Sequence, residues 1–125
     1  MSVLPEKTPA LRTIAMPADA NPDGDIFGGW IMAKMDLASG NFAAQVVKGR
    51  VVTVAVDAMT FLKPVYIGDD VSCYCSVSKT GNTSIVVTVD VWVKRHHSET
   101  VVKVTEGCFT FVAIDEHGKP RKITD

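Results

Sequence analysis

The hydrophobic positions of the chain follow two periods, first that of a helix and then that of strands. Over residues 26–47 apolar side chains recur at spacings of three and four, which is typical of an α-helix. This segment is apolar on almost every face, so we expect a helix that is buried all round. Lys48 and Gly49, a basic residue followed by a glycine, are expected to end it.

From residue 50 onward the period changes to two, which indicates β-strands. Residues 51–62 are rich in β-branched side chains, and residues 71–79 and 85–93 alternate apolar with polar positions. A tight hairpin is predicted at residues 80–82, which read Thr-Gly-Asn, and a short strand at residues 11–16 precedes the helix.

The last predicted strand has a fault in its alternation. Val102 and Val104 share one parity, whereas Phe109 and Phe111 take the other. A β-bulge near Glu106-Gly107 would bring both pairs onto the core face, and we predict one there.

The predicted order is β–α–β–β–β–β, one long helix packed on an antiparallel sheet of about five strands. This is an α+β fold, because no later helix alternates with the strands as a parallel doubly wound sheet requires. A length of 125 residues is typical of one domain. We expect a flexible N-terminal tail over residues 1–10 and a single domain over residues 11–125.

Composition narrows the class of protein. The formal net charge of −1 gives no reason to expect nucleic acid or a membrane surface as a partner. The three cysteines lack the spacing of a disulfide framework, and Cys73 and Cys75 would fill one strand face as reduced thiols. No signal peptide is apparent, and the apolar helix contains Lys34 and Asp36, which argues against a membrane span. We therefore expect a cytoplasmic protein.

Asp36 is the chemical anomaly of the predicted helix. An unpaired buried carboxylate is costly, so Asp36 needs either a partner or an elevated pKa. One interpretation is an ion pair with Lys or Arg, or hydrogen bonds at an interface. The other is a catalytic role.

Gly28 and Gly29 lie in the first turn of the helix, where backbone N–H groups have no intrahelical acceptor. The absent side chains would let a substrate approach these donors, and the helix dipole adds partial positive charge. Together they suit the oxyanion that develops in acyl transfer. The alternative is that two glycines merely permit close helix packing.

The spacing of these groups predicts a dimer if both are catalytic. At ~1.5 Å rise per residue, Gly28 and Asp36 lie about 12 Å apart along the helix axis. A base and an oxyanion donor must each lie near ~3 Å from one reacting centre. Two antiparallel helices that pack across a two-fold axis satisfy this condition, because the glycine turn of each helix lies beside the aspartate of the other. They form two shared active sites.

Three segments resemble a known family: GDIFGGWIMAKMD (24–36), GRVVTVAVDAMTFLKPVYIGD (49–69) and VDVWVK (89–94). They resemble the hotdog-fold acyl-CoA thioesterases, most closely the short bacterial YciA type, and the likeness covers residues 11–123. The resemblance implies that Asp36 is the catalytic carboxylate. It also implies that the Gly28 N–H, together with Gly29, forms the oxyanion hole.

A broader hotdog pattern, an Asn three before a Gly and then His-Gly-Gly, is matched at Asn21, Gly24, Gly28 and Gly29. Phe27 stands where some relatives have the His, so a histidine contact is excluded there. The resemblance further implies acyl-CoA substrates, no metal, and no cofactor beyond the coenzyme A of substrate and product. It also implies homodimers that assemble into hexamers as trimers of dimers.

The chemistry agrees with a thioesterase. A thiolate, whose parent thiol has a pKa near ~8.5, departs without help from a strong acid. Asp36 could activate water as a general base or attack the carbonyl to form a mixed anhydride. A silent acyl-CoA-binding hotdog module and a hotdog hydratase or dehydratase are the alternatives, although the hydratase chemistry usually needs a histidine that the helix lacks.

Eight further residues are candidates for substrate binding: Asn21, Asp25, Asp57, Thr60, Thr83, Ser84, Lys94 and Arg95. Asp25 is more simply an N-cap, and in that role it would compete with substrate for the Gly28 N–H. Some two-domain relatives have Asn at this position. Asn21 could instead shape the turn before Pro22.

The other candidates also have plain structural interpretations. Asp57 and Thr60 either line a site across the dimer or are ordinary sheet positions. Thr83 and Ser84 could hydrogen-bond the pantetheine arm, and Lys94 and Arg95 could bind the phosphates of coenzyme A or simply lie in a solvated turn. The histidines and the Cys-x-Cys pair lack the spacing of a metal site.

Overall fold

The helix and strands follow each other in the predicted order. The computed structural model describes residues 3–123, so the first two positions of the predicted tail and the last two of the predicted domain lie outside the described residues. The elements are β1 (Leu11–Ile14), a single 3-10 turn (Pro17–Asp19), α1 (Gly28–Val47), β2 (Val51–Phe61), β3 (Asp70–Thr80), β4 (Ser84–Lys94) and β5 (Val101–Ala113).

The five strands form one antiparallel sheet in the order β1-β3-β4-β5-β2, and α1 packs against one face of it. The central strand β4 confirms the predicted alternation. Its inward residues are all fully buried: Ile85, Val87, Val89, Val91 and Val93. The α+β architecture predicted from the sequence is therefore confirmed, and β2 lies at an edge of the sheet.

Helix α1 begins at Gly28 and ends at Val47. Lys48 adopts a left-handed conformation (φ 58°), and Arg121 donates a 2.7 Å hydrogen bond to the carbonyl oxygen of Val47. The prediction of a helix buried all round is wrong for the chain by itself, because Leu37 is 59% exposed. Only the face that includes Met35 and Ala38 is in the core. Within residues 3–123, no helix is both long and apolar enough to cross a membrane.

The bulge in β5 lies at Val104, two residues before the predicted position. Val91 pairs with Thr105, but its neighbour Trp92 pairs with Lys103, so Val104 is the extra residue. The predicted consequence is confirmed, because Val104, like Phe109 and Phe111, is buried. The predicted location is wrong because the irregularity opposite Gly107 belongs to β2.

Strand β3 is joined on its outer side by residues that precede the first strand. Ala10 donates a backbone hydrogen bond of 2.8 Å to the carbonyl oxygen of Cys73, and Lys7 reaches the carbonyl oxygen of Cys75 at 3.3 Å. Both cysteines are free and buried, as expected for apolar fillers. Burial raises the pKa of the Cys73 thiol to about 12 and that of Cys75 to about 11, so neither is a thiolate at neutral pH.

Candidate active site

The amides of Gly28 and Gly29 are free at the start of α1. The N-cap residue is Phe27, which has extended geometry (φ −59°, ψ 139°) and whose side chain forms no capping hydrogen bond. The N–H groups of Trp30 and Ile31 donate to the Phe27 carbonyl oxygen at 3.1 and 3.3 Å. Among residues 3–123, no group accepts a hydrogen bond from the N–H of Gly28 or Gly29. Two adjacent backbone donors are therefore available to a ligand.

The residues before the helix show that the prediction for Asp25 is wrong and that the prediction for Asn21 is confirmed. Asp25 is not the N-cap, since Phe27 occupies that position and Asp25 forms no side-chain cap. The Oδ1 atom of Asn21 accepts hydrogen bonds from the N–H groups of Asp23 (2.9 Å) and Asp25 (3.0 Å), so Asn21 does shape this turn. The predicted competition between Asp25 and a substrate for the Gly28 N–H does not arise.

A cleft opens beside Gly28. Ile31 of α1 and Phe61 of β2 line it, together with the loop residues 62–65. The Phe61 ring lies 3.5 Å from the position that a Cβ on Gly28 would occupy. The cleft is thus apolar on its helix and strand sides, with Gly28 in its lining and Gly29 next to it in the chain.

Asp36 lies two turns further along α1 and is exposed in the described chain. Its Oδ1 atom accepts a 2.7 Å hydrogen bond from the hydroxyl of Thr53 on β2. The expectation that this carboxylate is buried is therefore wrong for the chain by itself, and the hydrogen-bond partner that it has is a hydroxyl and not a Lys or Arg. Thr53 was not predicted as a site residue, although its position as a polar residue between Val52 and Val54 was a signal that could have identified it.

Asp36 and Gly28 line separate clefts. The cleft of Asp36 also contains Thr53 and Arg50 and has Phe111 in its wall. None of its lining residues belongs to the cleft of Gly28. Within one chain the carboxylate and the free amides therefore face different spaces, as the spacing along the helix required.

Four other candidates lie away from both clefts. Asp57 and Thr60 are exposed on β2, on either side of its irregularity, and pair with Cys108 and Glu106 of β5. Thr83 precedes β4, and its carbonyl oxygen accepts a 2.8 Å hydrogen bond from the Ala113 N–H. With its neighbour Ser84, it lines neither the Gly28 cleft nor the Asp36 cleft.

Arg95 is held in an ion pair that was not predicted from the sequence. Its Nη1 donates to Oδ2 of Asp69 at 2.6 Å and to the carbonyl oxygen of Pro64 at 3.0 Å, and the Asp69 side chain is only 2% exposed. The guanidinium also lies over the Tyr66 ring, 4.6 Å from its centroid. The interpretation of Arg95 as part of a solvated turn is wrong, because these contacts hold it against the loop that borders the Gly28 cleft.

Lys94 differs from its neighbour. It lies in a shallow cleft with His96 and His97 and forms no ion pair with any of residues 3–123. Over the same described range, no three His, Cys, Asp or Glu side chains are grouped so that they could hold a metal ion.

Comparisons with known proteins identify the family of this chain. The profile of the Thioesterase superfamily matches residues 23–100. The acyl-CoA thioester hydrolase YciA of Salmonella typhimurium is 49% identical over 126 residues, which cover 98% of this chain and 95% of that protein.

Two solved structures are similar along nearly the whole chain. The hexameric thioesterase y2039 from Yersinia pestis is 51% identical with a TM-score of 0.92, over 98% of this chain and 99% of the other. A hexameric hotdog fold thioesterase of Campylobacter jejuni is 43% identical with a TM-score of 0.88, over 93% and 90%. The chain therefore belongs to the Thioesterase superfamily and has the hotdog fold of the YciA-type acyl-CoA thioesterases.

Proposed function

We propose that this protein hydrolyses acyl-CoA thioesters to a free carboxylic acid and coenzyme A. The observation that carries the proposal is the pair of free amides at Gly28 and Gly29 on the same helix as a carboxylate, Asp36, that Thr53 orients in a separate cleft. The names of the relatives, acyl-CoA thioester hydrolases, agree with this reaction.

In the proposed reaction the thioester carbonyl oxygen accepts hydrogen bonds from the Gly28 and Gly29 N–H groups. Negative charge develops on that oxygen when a nucleophile adds to the carbonyl carbon, and the two donors and the helix dipole stabilise it. The C–S bond then breaks, and coenzyme A leaves as a thiolate that takes a proton from solvent. No general acid is required for this leaving group.

Asp36 supplies the nucleophile by one of two routes. Thr53 occupies Oδ1, and Oδ2 accepts no hydrogen bond from residues 3–123, so Oδ2 is available to react. As a general base, Asp36 takes a proton from the attacking water, and as a nucleophile it forms a mixed anhydride that water then cleaves. A single turnover in water enriched in heavy oxygen tests for the anhydride: label in Asp36 would establish that route, since a general base takes up only a proton from water.

The minimal active unit in this proposal is a homodimer. The outer edge of β2 has no pairing partner among residues 3–123, and Val52, Val54 and Val56 are exposed along it. An unpaired apolar edge strand is suited to pairing with a second copy. The hexamers of the similar thioesterases support a further assembly of three such dimers.

Subunit complementation tests the shared site. The Asp36→Ala and Gly28→Pro variants each remove one half of every site, so each should be inactive alone. In mixed dimers one site has both defects and the other has none, and random mixing should restore roughly a quarter of wild-type activity. Failure of purified mixed dimers to recover activity would exclude a site shared between subunits.

Thiol release from acyl-CoA, measured for wild type and Asp36→Ala, tests the reaction itself. Binding without thiol release would instead identify an acyl-CoA-binding module, and water addition to an enoyl-CoA would identify a hydratase. No histidine lines the clefts of Gly28 or Asp36, which disfavours the hydratase.

Among the candidate phosphate contacts, we propose Lys94 over Arg95. Arg95 is committed to Asp69, whereas the Lys94 ammonium has no ion-pair partner among residues 3–123. Lys94→Ala should raise KM for acyl-CoA with little effect on kcat, while truncated pantetheine thioesters should be hydrolysed equally by both proteins. An equal KM for acyl-CoA would exclude Lys94 from phosphate binding.

A further inference from the structure

Met59 is turned into the core by an irregularity of β2. Two residues, Ala58 and Met59, face the single residue Gly107 of β5. Ala58 adopts a positive φ of 51°, a conformation that residues other than glycine seldom take. Apart from Val51 at its start, Met59 is the only β2 residue that is partly buried. Bulges of this kind re-aim one side chain, often beside an active site.

Gly107 provides the space that the Met59 side chain occupies. A Cβ on Gly107 would lie 3.0 Å from Met59 Cε, 3.1 Å from its Sδ and 3.5 Å from Cε of the fully buried Met35. The Thr105 hydroxyl also contacts the Met59 sulfur at 3.7 Å. The ends of two methionines therefore meet where a side chain is absent from the sheet.

These methionines form the next layer behind the Gly28 cleft. Ile31 and Phe61 both line that cleft. Met35 lies about one helical turn beyond Ile31, and Met59 lies two residues before Phe61 on the same strand. A thioester held at the Gly28 amide has one polar arm and one apolar arm. Burial between the helix and the sheet is favourable for the apolar acyl chain, whereas coenzyme A carries charged phosphates that stay in water.

We propose that Met59, seated over Gly107 and against Met35, is the adjustable end wall of the acyl pocket and determines which acyl chain lengths are accepted. This inference rests on the proposed hydrolysis of acyl-CoA. Methionine is unbranched and adapts to irregular spaces, so the wall can withdraw from a longer chain. Each methylene that the pocket buries in the transition state should raise kcat/KM about fourfold.

The test is the profile of kcat/KM against acyl chain length, from acetyl-CoA through butyryl- and octanoyl- to palmitoyl-CoA. Gly107→Ala places a methyl group against the flexible end of Met59 and should lower the long-to-short ratio roughly fourfold, the value of one methylene. Met59→Ala should raise that ratio by a similar factor. Met16→Ala, which truncates an exposed methionine outside the Gly28 and Asp36 clefts, is the control and should leave the profile unchanged.

The failure of this inference can be distinguished from that of the proposed function. Wild-type hydrolysis with the same chain-length profile in Met59→Ala and Gly107→Ala would overturn the role of Met59 alone. An inactive wild type would overturn the proposed function and this inference with it. If Gly107→Ala does not fold, Met59→Ala and the stiffer, similarly sized Met59→Leu still decide, because a profile unmoved by both is incompatible with an end wall at Met59.

Discussion

Gly28→Pro removes one hydrogen-bond donor while conserving the fold. Gly28 is the first residue of α1, a position at which proline is favoured because its missing N–H has no intrahelical partner. Phe27 already has the extended ψ of 139° that a residue before proline prefers. A Cβ on Gly28 meets the Phe61 ring at 3.5 Å, which is ordinary contact. The free energy of unfolding should therefore change by no more than about 1 kcal/mol.

Activity should change far more than stability. Loss of one oxyanion donor typically lowers kcat by about 10²–10³, or ~2.7–4 kcal/mol of transition-state stabilisation. The control is Gly28→Ala, which adds a methyl group and keeps the N–H. The assay is thiol release at saturating acyl-CoA, with thermal unfolding measured on the same samples. If Gly28→Pro turns over as fast as Gly28→Ala, the Gly28 amide does not stabilise the oxyanion and the proposed site is wrong.

Three further predictions follow from other contacts. Thr53→Val removes the hydroxyl that orients Asp36, and it should lower kcat about tenfold or more, whereas Thr53→Ser should retain activity in the same assay. Arg95→Ala leaves the carboxylate of Asp69 buried without its partner, so denaturant unfolding should show a loss of about 3 kcal/mol, and adding Asp69→Asn should recover part of it; equal stability of the single and double variants would contradict this. Burial raises the pKa of Cys73 from 9.0 to about 12, so the stability that the protonated Cys73 thiol contributes is complete below pH 9 and is lost as pH rises toward 12. The free energy of unfolding of Cys73→Ala should therefore fall less steeply with pH over that range than that of the wild type. An identical slope for the two proteins would refute the raised pKa of Cys73.

The main elements of the fold could be predicted because their apolar residues follow a clear period. Burial along β4 alternates without a break, and α1 follows the three–four spacing. Their order then leaves one antiparallel sheet on one helix. The two groups proposed to be catalytic could also be chosen from sequence, since a carboxylate in an apolar helix and a double glycine in its first turn both conflict with the local pattern.

What could not be predicted depends on contacts between distant residues. Arg95 and Asp69 are separated by 26 positions, and the ion pair exists only because the end of β4 comes beside the loop before β3. The bulge was misplaced because parity shows that an extra residue is needed but not which residue loops out. An extra residue at Val104 restores the alternation as well as one at Glu106 does, and only the register between β4 and β5 distinguishes the two positions.

The arrangement of β2 and α1 is the physical reason for proposing that the site is shared with a second copy. Both elements contribute to each half of the site: Thr53 of β2 binds Asp36, and Phe61 of β2 covers Gly28. The halves lie eight helix positions apart, with Gly28 at the start of α1 and Asp36 near its middle, so no bending of one chain can join them while α1 stays packed on the sheet. A two-fold axis beside β2 would reverse the second copy and place its amides opposite the first copy's carboxylate. Such an axis would also bury the exposed valines of the edge strand, so in the proposed dimer one contact would both stabilise the assembly and complete the two sites.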